Sequence, residues 1–205
     1  MSPDYQAEIV RRRFRPPLWL MLACVAGIVV GMIGLVIGFL MSPLDTWLWL
    51  LVSFLIFGGI SVGMLGWAAA FRVAQARWTG AISRLAHSGI AFAPATALAL
   101  VALVTGAPGY LPWITHRIPE KAFYLNFPGL AAREFLGLGI LWLLGFVMVR
   151  WSLNEDDRAR DGQSMSERAM YRQNSVSVGY AAWYAIMLTI VSWDFAMSMQ
   201  VGWHS

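Results

Sequence analysis

Long charge-free apolar runs, broken by short arginine-rich segments, set the pattern of this chain. No charged residue occurs from Leu18 to Ser42, from Thr46 to Phe71, or from Ser88 to Ile114. A helix needs about 20 mostly apolar residues to cross ~30 Å of hydrocarbon. The runs predict spans at 18–42, 46–71 and 87–107, the third ending before Pro108. Two more, at 128–150 and 175–199, complete about five transmembrane helices within a single transmembrane domain, 1–205. The expected fold class is all-α, a polytopic integral membrane helix bundle. The fourth run carries Arg133 and Glu134 in its first turns, so it reaches full length only if they lie at the interface or face a partner helix. A four-span arrangement would turn the fourth or fifth run into a re-entrant or surface helix.

Composition agrees with this pattern. The chain has 205 residues, 59% hydrophobic and 13% charged, where a soluble domain carries about 25% charged residues. Its mean hydropathy of +0.60 excludes an ordinary soluble enzyme, a disordered tail and a nucleic-acid binder. The single cysteine, Cys24, excludes an internal disulfide and any cluster that needs several thiolates from this chain. Most basic residues fall on one side of the spans: Arg11, Arg12, Arg13 and Arg15, then Arg72, Arg77 and Arg84, then Arg150, Arg158, Arg160, Arg168 and Arg172. The other side has Arg117 and Lys121, with Arg133 at its edge. Basic loops stay cytoplasmic, which predicts a cytoplasmic N-terminus and a periplasmic C-terminus. Arg12-Arg13-Phe14 and Leu22-Ala23-Cys24 are similar to export signals. The apolar stretch before Cys24 is too short for a signal core, and an uncleaved first span is the better reading.

Gly27, Gly31, Gly34 and Gly38 form one stripe on the first helix, and Gly59, Gly63 and Gly66 repeat the idea on the second. Small residues on one stripe let membrane helices approach closely. Helix packing is the simplest reading, and a tight ligand path the sharper one. Pro94 should kink the third span or mark its first turns. Trp19, Trp47, Trp49, Trp78, Trp113, Trp151, Trp193 and Trp203 fall near expected interfaces, as in an aromatic belt. The segment 107–127 is too apolar to be simply solvated. The segment 152–174 is charged but balanced in sign and reads as a solvated loop.

Ionisable residues at membrane depth are costly and are functional candidates. Asp194, Arg133, Glu134 and His87 qualify. Burial disfavours the charged form of Asp194, so it can take or give a proton unless it is paired. A structural ion pair with Arg133, at similar depth, is the alternative. Arg133 and Glu134 should point about 100° apart on a helix, so they should not share one partner well. His87 could shuttle a proton or ligate haem, but His116 and His204 cannot face it across one haem. No phosphate loop, nucleotide fingerprint, HExxH or nucleophile elbow occurs.

Several blocks together resemble a family. They are Arg77-Trp78-Thr79-Gly80 through Arg84; Tyr124-Leu125-Asn126 with Pro128 and Arg133; Ser152 to Asp156; and Asp194-Phe195-Ala196-Met197-Ser198-Met199 with Trp203 and Ser205. The last is similar to a signature of the form DWxMSLxxxWxS. Residues 77–205 thereby resemble the ActF-type membrane subunit of alternative complex III, within the NrfD and polysulfide-reductase-like superfamily. The resemblance implies an integral membrane subunit of a quinol:electron-acceptor oxidoreductase in a bacterial inner membrane. It implies other integral membrane subunits as partners, with extracytoplasmic iron–sulfur and multihaem cytochrome subunits, besides lipid. It implies no cofactor bound by this chain alone and a quinone at a subunit interface. Asp194, Ser198 and Arg133 are the positions that match, as proton-path or quinone-adjacent residues beside Glu134 and His87. The chain departs from the family in length, which is roughly half, in Gln200, Val201 and Gly202 after the signature, and in His87 where an acid is usual. That implies a half-length subunit or an incomplete sequence, completed by a partner. A structural scaffold of another membrane complex and a small half-transporter are the alternatives.

Overall fold

The computed structural model describes residues 16–76, 78–116, 119–162 and 166–200, the side chains of residues 159 and 160 excepted. Arg11, Arg12, Arg13, Arg15, Arg77, Arg117, Trp203, His204 and Ser205 lie outside the described residues, as does the side chain of Arg160. The fold is all-α, with no strand among the described residues. Among the described residues, five helices are long and apolar enough to cross a membrane: α1 (Leu18–Met41), α2 (Pro43–Val73), α3 (Gly80–Gly109), α4 (Phe127–Arg160) and α5 (Glu167–Met199). The chain is a multi-pass membrane protein.

Local chemistry sets the breaks. Pro17, in extended backbone, starts α1. Within α3, Pro94 lacks an N–H and its ring would clash with the carbonyl of residue 90 in a continuous α-helix. The chain tightens to a 3-10 turn over Ser88–Phe92, and α-helix resumes at Ala93 with Pro94 in its first turn. Asn126 caps α4 by accepting a hydrogen bond from the Gly129 N–H at 2.7 Å. Gly162, at φ 71°, follows its end in the left-handed region where glycine alone is unstrained. Ser166 caps α5 by accepting from the Ala169 N–H. π turns interrupt α2 at Phe54–Gly58 and α5 at Ser192–Ala196.

Three helix limits differ from the sequence expectation. α3 begins at Gly80 rather than near 87, α4 continues to Arg160 rather than 150, and α5 begins at Glu167 rather than 175. Hydropathy marks only the hydrocarbon layer, whereas a 34-residue helix is about 51 Å long. The segment 152–160 is therefore helix rather than loop, and its acidic residues pair with Arg72 and Arg84 across the bundle.

Two compact units divide the chain, one ending at Thr46 and one beginning at Trp47. In the first, α1 carries no buried residue, and of its glycines only Gly38 packs, on Thr46. In the second, α5 lies along both α2 and α4. Tyr180 Oη donates to the Val62 carbonyl at 2.8 Å, and Trp183 Nε1 to the Gly137 carbonyl at 2.8 Å. Ser61 Oγ donates to the Gly89 carbonyl and ties α2 to α3. The glycines that permit close approach are Gly89, where an added Cβ would lie 2.6 Å from the Ser61 carbonyl oxygen, with Gly137 and Gly145. An added Cβ at Gly27, Gly31, Gly34 or Gly59 meets nothing within 4 Å, and at Gly63 only Tyr184 Oη at 3.5 Å. Of the two stripes, Gly38 packs on Thr46 within the first unit, and Gly66 on the Tyr184 ring within the second. Trp113 is buried rather than part of a belt. The segment 107–127 folds onto its own bundle, burying Ala107, Tyr110, Leu111 and Trp113.

Candidate functional site

The site is built where the start of α4 meets the end of α5. Asp194 sits in the π turn of α5 and is 1% exposed. Such turns insert one residue into a helix and often mark functional positions. Arg133, two turns into α4, donates from Nε to Asp194 Oδ2 at 2.9 Å and from Nη2 to Oδ1 at 3.0 Å. The planar fork thus holds both carboxylate oxygens. Arg133 Nη1 also donates to the Tyr124 carbonyl at 3.1 Å, and the guanidinium carbon lies 4.0 Å from the Tyr124 ring centroid. Tyr124 meets Trp193 edge-on. Gly129 leaves room for this arginine: an added Cβ would fall 3.0 Å from Nη1. Ser198 donates its hydroxyl to the Asp194 backbone carbonyl.

Glu134 is fully buried. Its carboxyl lies beside that of Asp194, while Arg133 alone makes the paired hydrogen bonds to Asp194. Neither Glu134 oxygen has a hydrogen-bond partner. A protonated carboxyl gains an O–H donor, and one proton in the pair would turn their contact into a hydrogen bond. Outside the spans, burial first and the nearby Asp194 second push the Tyr124 hydroxyl up to about 12.

His87 is not part of this cluster. It lies near Arg72, Arg84 and Asp156, at the other end of α4. From Glu134 to Glu155 the helix rises about 32 Å. There Arg72 pairs with Glu155 at 3.5 Å, and Arg84 with Asp156 at 2.9 Å. Between the two ends lies an apolar cavity of about 250 Å³, bordered by Phe54, Thr96, Trp142, Tyr184, Met187 and Ser192 among others. Trp142 is the notable polar member, since its indole N–H is buried without a partner. Asp194 does not line the cavity, but Ser192 and Ala196 do; residues two apart on a helix face roughly opposite ways.

The Glu134–Asp194 contact and the role of Tyr124 beneath Arg133 were not visible in the sequence. The only available signal was the coincidence of depth between residues 133–134 and 194. Among the described residues, no group of three or more His, Cys, Asp or Glu side chains could hold a metal ion. No protein-family model matches the chain, and no curated protein matches it.

Proposed function

We propose that the chain is an integral membrane subunit of a quinol:electron-acceptor oxidoreductase of the alternative complex III kind, in which the Glu134–Asp194 pair takes and passes a proton. One observation carries the proton role. Two carboxyls share a dry site with one arginine, and the second carboxyl has no donor unless a proton is present. Asp194 is held as the counter-ion of Arg133, so the proton rests on Glu134. The apolar cavity one face away supports a quinone-adjacent position. The short sequence blocks support the family. Electrons would leave through iron–sulfur and multihaem partners on the periplasmic side of a bacterial inner membrane, the N-terminus being cytoplasmic.

The test uses the native assembly, purified through a tag on this chain. The reading expects a haem and iron–sulfur redox difference spectrum. It also expects Glu134→Gln to leave the assembly intact while slowing quinol turnover by about a hundredfold, within the range for a positioned acid–base group. A native assembly without redox-active partners would sink the family reading. Unchanged turnover in an assembly with such partners would sink the proton role and leave a structural scaffold. That second reading has its own support, since the bidentate Arg133–Asp194 pair ties residues 124–133 to the end of α5.

A further inference from the structure

Beyond the last apolar residues of α4, its C-terminal end and the first turns of α5 enclose a polar pocket of about 150 Å³. Arg158, Arg172, Gln173, Glu155 and Trp151 line it. Its depth follows from helix geometry. Trp151 lies about 3 Å and Glu155 about 9 Å beyond Val149 along the helix axis. The headgroup layer is roughly 5–8 Å thick on each side of the hydrocarbon. The pocket therefore starts at headgroup level, with Trp151 at the boundary where indole rings anchor, and extends into the water beyond, with the Arg158 backbone about 14 Å past Val149.

The charges in the pocket are unevenly satisfied. Glu155 is already paired with Arg72. The guanidinium of Arg172 lies 4.7 Å from the Trp151 ring centroid. Among the described residues, neither Arg172 nor Arg158 forms an ion pair. Gln173 is 3% exposed, a rare burial for an amide. It neighbours the Glu155 carboxyl, yet neither its nitrogen nor its oxygen has a hydrogen bond of acceptable geometry. A buried unpartnered amide is costly and calls for a partner. The Gln173 amide has two N–H donors, so it can serve Glu155 and one further acceptor together. Two unpaired arginines beside that donor suit a phosphate. The volume suits a headgroup, being well below the roughly 300–1,000 Å³ of drug-sized ligand sites.

We propose that this pocket binds the phosphate of an anionic phospholipid headgroup, held by Arg158, Arg172 and the Gln173 amide. Basic pockets between membrane helices take such headgroups. The site is independent of the Glu134–Asp194 pair, about 32 Å away along α4.

The test is native mass spectrometry of the purified full chain in detergent, titrated with phosphatidylglycerol, phosphatidylcholine or inorganic phosphate. One phosphatidylglycerol should be retained per chain, and phosphatidylcholine should not. Each arginine near a membrane surface contributes about fivefold to anionic-lipid affinity, so Arg158→Ala/Arg172→Ala should weaken retention about 25-fold. Gln173→Glu keeps the side-chain shape but adds an acceptor and a negative charge, and should weaken retention at least about fivefold. Unchanged gel-filtration and circular-dichroism profiles establish that both variants fold. Equal retention of phosphatidylcholine, or unchanged binding in either folded variant, would overturn the proposal. Displacement of the lipid by an equal concentration of inorganic phosphate would also overturn it, by assigning the pocket to free phosphate.

Discussion

The two ends of α4 hold their charges in opposite ways. At its start, Arg133 faces two carboxyls, both almost fully buried, one of them without a hydrogen-bond donor. Near its C-terminus, Arg72 and Arg84 meet Glu155 and Asp156 one to one, with side-chain exposures from 14 to 60%. Greater exposure and one-to-one charge balance make the second end the less costly arrangement. The first end lacks both, and a buried charge without a partner costs several kcal/mol. A single helix thus carries one site with two buried carboxyls to one cation and one site where the charges balance. The difference lies in burial and stoichiometry, not in residue type.

The largest break in this comparison should come from Arg133→Ala. It leaves Asp194 and Glu134 without a cation. Removing one partner of a buried pair costs about 3–5 kcal/mol, and the 21% exposure of the Arg133 side chain places the expected loss near about 3 kcal/mol. Thermal unfolding in detergent measures it. Adding Asp194→Asn should restore part of the loss, because the stranded charge is then gone. A double variant as unstable as the single one would show that lost packing on Tyr124, not charge, is responsible.

Glu134→Gln sharpens the same contrast. If Glu134 already carries a proton, the amide keeps its shape and neutrality, and stability should change by less than about 1 kcal/mol. The infrared band of a protonated carboxyl should disappear in the variant. An ionised Glu134 against Asp194 would instead make the variant more stable, since two like charges in one dry site oppose each other.

Arg84→Ala should cost less. This pair is the more exposed of the two near the C-terminal end of α4, with 60 and 30% exposure, and exposed pairs contribute about 0–1 kcal/mol. Added salt should erase the difference between this variant and the parent, because screening acts on solvent-facing charges. The Arg133→Ala deficit should persist in the same salt. Equal salt sensitivity at the two ends would remove the distinction between them.

Much of the architecture was legible because it follows from length and hydropathy. Five spans, the turn at Pro94 and the depth match of Arg133 with Asp194 all rest on periodic or additive properties. The charged segment 152–160 read as loop because hydropathy reports lipid contact, not helicity; the pairing of Glu155 and Asp156 with arginines 83 and 72 positions away has no local signature. The glycine stripe of α1 was legible as a pattern, but glycine spacing cannot say which stripe meets a helix in its own chain. Gly89, Gly137 and Gly145 make close approaches from outside the stripes, and Gly66 makes one from within. The meeting of Glu134 with Asp194, which lies in a π turn of another helix, has no local signature.

The smallest expected effect concerns Tyr124, whose ring lies beneath Arg133 and whose hydroxyl neighbours Asp194. Burial, then the Asp194 charge, raises its hydroxyl from 10.0 to about 12. Between those values the unfolded chain has released this proton and the folded chain still holds it. Stability should therefore fall as pH rises from 10 toward about 12, and the contribution is fully present below pH 10. Tyr124→Phe removes the titrating group but keeps the ring beneath Arg133. The variant should lose stability less steeply than the parent across that window, with matching curves below it. The comparison isolates Tyr124 from the other tyrosines, which both proteins share. Parallel curves throughout would mean that its hydroxyl is hydrated in the folded protein, and that the dry region around Asp194 stops short of Tyr124.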